Sequence, residues 1–153
     1  MFRGINAVNL DAKGRMAMPA KYRAELQDDD AEGCLIVTID TEEKCLLLYP
    51  QSVWEEIERK IESLPSFNKI TRRIQRLLIG HATELEMDAS GRILLPALLR
   101  EYASLDKRII LAGQGKKFEI WDEEIWTNGR ANWLATGLGD SLELPTELQS
   151  LSL

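Results

Sequence analysis

The chain has 153 residues, 44% of them apolar, which suits one compact domain or two small halves packed closely together. No apolar run approaches the roughly 20 residues of a membrane span, and Met1-Phe2-Arg3-Gly4 does not open a secretory signal, so the reading is a cytoplasmic protein. The net charge of −6 counts at first against a nucleic-acid partner, but the charge is segregated along the chain, and segregation gives basic and acidic faces.

Residues 1–23 carry Arg3, Lys13, Arg15, Lys21 and Arg23 against one acid, Asp11. A strand is predicted at Ile5–Leu10, a turn from Asp11 to Gly14, and a second strand at Arg15–Met18. Asp at the first turn position and Gly at the fourth suit a type I turn, with the carboxylate able to bond the backbone beyond it. Pro19 then fits the first turn of a short helix, where its missing N–H costs nothing. The acids Asp28, Asp29, Asp30 and Glu32 follow. CLIVTID and CLLLYP flank Thr41-Glu42-Glu43 as a hairpin, and a helix at Gln51–Ser63 carries Glu55, Glu56 and Glu58. A further helix is expected at Ser66–Gly80, with Ile70, Ile74, Leu77 and Leu78 near one face and Lys69, Arg72, Arg73 and Arg76 elsewhere. Such a basic run is more often a solvated helix face than a binding patch.

The pattern then starts again: strand Ala82–Met87, turn Asp88–Gly91, strand Arg92–Leu95, and Pro96 opening a short helix. RIILAG and KFEIW flank the Gly113–Gly115 turn region, and a helix runs over Asp122–Leu134. LDAKGRMAMPAKYR at 10–23 matches MDASGRILLPALLR at 87–100, with Asp11 and Asp88 77 positions apart. CLLLYPQSVW at 45–54 matches KFEIWDEEIW at 117–126 with an offset of 72, so the second copy has lost five residues between the blocks. Two ordered blocks in one chain imply a duplication. The boundaries are a first repeat over 1–64, a bridging helix over 65–80, a second repeat over 81–136, and a tail over 137–153 that is either a mobile arm or an amphipathic contact. Each repeat alone is too small for a secure core, so the two should pack as pseudo-twofold partners flanked by helices in an α+β fold.

The chemistry sits in the duplicated Asp-x-x-Gly-Arg unit, at Asp11–Arg15 and Asp88–Arg92. A turn at a strand tip projects its side chains clear of the body. Arginine there offers a rigid fork that matches guanine O6 and N7, or a phosphate. The aspartate, four residues earlier, can orient the fork. Lys13 adds a phosphate contact at the first tip, where the second copy has Ser90. Arg3, in the same basic segment, joins these as a candidate DNA contact. The plainer reading is a hairpin whose Asp–Arg pair only steadies the turn. Arg23 and Arg100 recur in the short helices and read better as caps on carbonyls than as phosphate ligands.

Other chemistry is excluded or weak. Cys34 and Cys45 lack a CxxC pattern and His81 is the one histidine, so no metal site is expected and the cysteines read as reduced thiols. No GxSxG, P-loop or GxGxxG occurs, so neither an enzyme nor a cofactor is expected. Trp54 and Trp126 take matching helix positions and read as core.

The opening MFRGINAVNLDAKGRMAMPAKYR, the phrase CLLLYPQSVWEEIE, the bridge RRIQRLLIGHATELEMD and the second copy MDASGRILLPALLREY together resemble the MraZ family of bacterial transcriptional regulators, over residues 1 to about 126. The resemblance implies an AbrB-like double-split β-barrel made of the two repeats. It implies ring-shaped homo-oligomers and repression of the family's own operon, in the division and cell-wall gene cluster, through tandem G-rich promoter repeats in double-stranded DNA on the nucleoid. It also implies that Asp11–Arg15 and Asp88–Arg92 supply the DNA-contacting loops. Ser90 departs from the basic residue of the first loop, so the two loops need not contribute equally. A rival reading, an antitoxin-like interaction module, fits two repeats and a short tail less well. A hydrolase would need a site the sequence does not display.

Overall fold

The computed structural model describes residues 1–28, 33–137 and 145–152. Most of the acidic run that begins at Asp28, and the start of the predicted tail, lie outside the described residues. The chain forms two compact units, Met1–Glu123 and Glu124–Leu153.

The first unit holds β1 (Phe2–Asn9), β2 (Arg15–Ala17), α1 (Ala20–Gln27), β3 (Cys34–Ile39), β4 (Leu46–Pro50) and α2 (Gln51–Glu62). Next come α3 (Lys69–Ile74), a π-helical turn (Gln75–Ile79), β5 (Thr83–Glu86), β6 (Arg92–Leu94), α4 (Ala97–Tyr102), β7 (Arg108–Gly115) and β8 (Phe118–Asp122). Six strands form one antiparallel sheet in the order β1-β7-β8-β4-β3-β5, and β2 pairs with β6 in a separate ribbon. Each hairpin, β3–β4 and β7–β8, stays within its own repeat. Each first strand crosses over: β1 pairs with β7, Phe2 opposite Gly115, and β5 pairs with β3, Cys34 opposite Glu86. Exchanging the two repeats maps this strand order onto itself.

The alternation along β3 and β4 explains why both read as continuous apolar runs: the sheet is covered on both faces. Leu35, Val37, Ile39, Leu46 and Leu48 point into the main core with Ile109, Leu111, Phe118 and Ile120 of the second repeat. Ile36, Leu47 and Tyr49 point the other way, onto Trp54 of α2. Phe2 stacks on Phe118 at 4.3 Å between ring centres, and Tyr22 meets Phe118 edge-on at 4.8 Å. Such pairs add about 0.5–1.5 kcal/mol each beyond their buried area. The cluster ties β1 and α1 of one repeat to β8 of the other.

Pro19 and Pro96 stand one place before the helices, at the N-cap, rather than inside the first turn. They still open those helices, because their carbonyls accept the first helical bonds: Pro19 O from Tyr22 and Arg23, Pro96 O from Arg100. The bridging segment is shorter and less regular than its periodicity predicts. Asn68 caps it by accepting from the Ile70 and Thr71 amides. Ile70 is 66% exposed and Thr71 is the buried residue of that turn. The π turn then widens the helix, so that Leu77 meets the main core while Leu78 and Ile79 meet the cluster around Trp54. Thr38, buried on the same face, donates to Leu78 O at 2.7 Å and pins this turn to the sheet.

The second unit contains α5 (Glu123–Thr136), which starts at the boundary, and the short α6 (Thr146–Gln149). Trp126 is half-buried and meets Trp133 edge-on at 5.7 Å. Among the described residues, no helix is long and apolar enough to cross a membrane.

Candidate nucleic-acid interface

The first turn is built by its aspartate. The Gly14 amide donates to Asp11 O at 3.0 Å, and Gly14 takes φ +88°, a conformation that favours glycine. Asp11 Oδ1 accepts from the backbone amides of Lys13 and Arg15, both at 2.9 Å, and Oδ2 accepts from Arg15 Nε at 2.8 Å. One carboxylate therefore fixes both the backbone of the turn and the guanidinium that leaves it. The second turn repeats the pattern: the Gly91 amide donates to Asp88 O, and Asp88 accepts from the Ser90 and Arg92 amides and from Arg92 Nε at 3.1 Å. The Arg15 amide, and then the Arg15 side chain and the Lys13 amide, hold the Asp11 carboxyl below its ordinary value against some desolvation. The Arg92 and Ser90 amides do the same for Asp88.

The ribbon β2–β6 sets the two arginines relative to each other. Arg15 lies opposite Leu94, Met16 opposite Ile93, and Ala17 opposite Arg92. Met16 and Ile93 are buried, so Arg15, Ala17, Arg92 and Leu94 share the outer face of the ribbon. Both forks thus leave one surface from diagonal corners, roughly 8 Å apart along the backbone grid by strand spacing. Leu94, 54% exposed, and Ala17 occupy the other two corners. Lys13 and Ser90 are exposed at their tips.

Arg3 lies elsewhere. It occupies the start of β1, roughly 25 Å along that strand from Asp11 at ordinary strand rise, beside Lys21, whose Nζ approaches Gly4. The turns bring together Asp11, Lys13, Arg15, Asp88 and Arg92, and leave Arg3 out. Of the basic helix residues, Lys69, Arg72, Arg73 and Arg76 are all exposed, in keeping with a solvated face.

Arg23 and Arg100 cap carbonyls, Met18 O at 2.6 Å and Leu95 O at 3.0 Å. A groove of about 610 Å³ opens beside the first turn, lined by Asp11, Ala12, Arg100 and Lys107 among others. Sequence reasoning missed one grouping, in which donor atoms of Asp40, Cys45 and Glu119 lie within 4.8 Å of one another. Their own bonds account for it. Asp40 accepts from the Glu42 and Glu43 amides, and Glu119 accepts from Gln114 and Trp121. Burial first, then the Glu119 and Asp40 charges, push the Cys45 thiol far up, which keeps it protonated. Cys34 and Cys45 are not joined to each other in a disulfide.

Residues 1–77 and 78–135 each match the family model described as "MraZ protein, putative antitoxin-like". Full-length similarity is found to proteins named transcriptional regulator MraZ, covering all of both chains: 58% identical in Coxiella burnetii (strain Dugway 5J108-111), 54% in Legionella pneumophila (strain Corby) and 52% in Halorhodospira halophila (strain DSM 244 / SL1).

Proposed function

The chain belongs to the MraZ family, and from that premise we propose that it is a transcriptional regulator, not an enzyme, that binds double-stranded DNA through the outer face of its β2–β6 ribbon. The observation that carries this reading is the pair of aspartate-held arginines at opposite corners of one exposed two-stranded ribbon. The major groove of B-DNA admits such a ribbon, and an arginine fork is the commonest reader of guanine there. A fork already held by a carboxylate loses less freedom on binding than a loose one. Lys13 suits a flanking phosphate, and Leu94 offers apolar contact to a base edge.

In this reading the two sheets belong to a double-split barrel, and several copies assemble as a ring on tandem G-rich repeats in the promoter of the protein's own operon. It acts in the cytoplasm, on the nucleoid, as a repressor. The ring supplies what one ribbon lacks. A single small basic surface on an acidic chain binds weakly, and linking several raises the local concentration of the rest once one is seated.

The test is a gel shift on tandem G-rich duplexes with Arg15→Ala, beside a size-exclusion profile. Loss of a guanine contact costs about 1–3 kcal/mol per engaged subunit. Over several subunits, specific binding should vanish while the assembly persists. An Arg15→Ala protein that assembles and shifts such DNA like the parent would overturn the assignment.

A further inference from the structure

The aspartates account for how each turn holds its own arginine, but not for the burial of each turn's glycine. Gly14 and Gly91 are buried, although Asp11, Lys13, Asp88 and Ser90 around them are exposed. What covers each glycine is an arginine from the other repeat. A β-carbon on Gly14 would lie 2.5 Å from Cζ of Arg100, and one on Gly91 would lie 2.4 Å from Nε of Arg23. The guanidinium plates therefore rest directly on the turn backbone, at distances only glycine permits.

The anchoring is crossed in the same way. Arg100 Nε donates to Leu95 O, and the Leu95 amide donates to Gly14 O at 2.9 Å. Arg23 Nε donates to Met18 O, and the Met18 amide donates to Gly91 O at 2.9 Å. Each arginine thus grips the residue that bonds the opposite turn, and also covers that turn's glycine.

We propose that Arg100 and Arg23 are positioning residues for DNA binding, each clamping the DNA-contacting turn of the opposite repeat. Neither turn is then an independent reader: the first keeps its shape only while the second repeat is in place, and the converse holds. The proposal rests on the reading of these turns as DNA contacts. It needs a flat guanidinium. A lysine ammonium is a compact charge that cannot tile a peptide plane, yet it would preserve a contact to phosphate.

The experiment uses the full assembled protein with Arg100→Lys, Arg100→Ala, Arg23→Lys and Arg23→Ala. Amide hydrogen exchange is followed by NMR or mass spectrometry. The Arg100 variants should speed exchange at Lys13, Gly14 and Arg15 at least tenfold and leave Ser90, Gly91 and Arg92 unchanged, and the Arg23 variants should do the reverse. On tandem G-rich duplexes, both Arg100 variants should weaken binding at least tenfold without changing the slope of log affinity against log salt. If an alanine variant does not assemble, its lysine counterpart gives the same readings.

Faster exchange in the arginine's own repeat, or evenly over the chain, would overturn the clamp in favour of a merely structural cap. Affinity restored by lysine, with a slope reduced by about one per engaged subunit in the alanine variant, would overturn it in favour of direct phosphate contact. The crossed exchange pattern together with DNA binding indifferent to both Arg15 and Arg100 would overturn the reading of the turns as DNA contacts.

Discussion

Asp11 does three jobs with two oxygens, and its ionisation state decides whether the first turn is ordered. Because its carboxyl is held below the ordinary value of 3.8, the turn's stabilisation is complete above that value. It is lost as pH falls through the lower, folded value. The same sign holds for Asp88. An acid titration of the Lys13, Arg15, Ser90 and Arg92 amide resonances should give midpoints below 3.8 and a flat response from about pH 6 to 8. A midpoint at or above 3.8 would mean that the carboxylates do not hold the turns. This much was readable from the spacing, because these partners are close in sequence: Asp at one end, Gly at the other and Arg next can be paired without knowing what packs over them. Arg3 was not readable in this way. Its membership of a basic segment says nothing about distance, and an extended strand carries it to the far end of the sheet.

At the scale of elements, the glycines separate two kinds of constraint. Gly14→Ala places a β-carbon in the left-handed region and against Arg100 at once. It should destabilise the fold by about 1–3 kcal/mol. Gly80 closes the π turn at φ −61°, and a β-carbon added there would meet nothing within 4 Å. Gly80→Ala should be neutral or stabilise by up to about 1 kcal/mol. Paired denaturation curves check both, and equal effects would show that space and backbone angle do not govern these sites. The same scale shows where periodicity ran out. The repeats predicted strands, hairpins and short helices close to where they lie. The bridging helix departed because its apolar spacing assumes about 3.6 residues per turn, while a π turn serves two clusters that flank the edge of the sheet.

For the whole molecule, the repeats announced that two halves pack together, but not that their first strands are exchanged. Strand partners are set by long-range burial, and β1 has the same local pattern whether it pairs with β3 or with β7. The closeness of Arg100 to Gly14 and of Arg23 to Gly91 depends on that exchange and was hidden with it. Two bulk measurements belong here. Light scattering in dilute buffer should return a mass well above that of a dimer, and a value near 17.4 kDa would sink the ring. Affinity for duplex DNA should fall steeply as salt rises toward physiological strength, because basic turns on an acidic chain lead with phosphate contacts. A flat salt response would count against them.

The exchanged strands also bear on how the chain is made. Phe2 pairs with Gly115, and β4 reaches its central neighbour only when Phe118–Ile120 has been added. At about 5–20 residues per second of synthesis, the first strand waits roughly 6–20 seconds for its partner. Until β5 is made, a nascent chain carries an apolar hairpin, β3–β4, with both edges open, and the β4 edge stays open until β8 follows. The first repeat has no finished sheet to join while the second is still being translated, so the sheet closes only after β8 has been made, and until then the early half presents an edge on which intermolecular strand pairing can start.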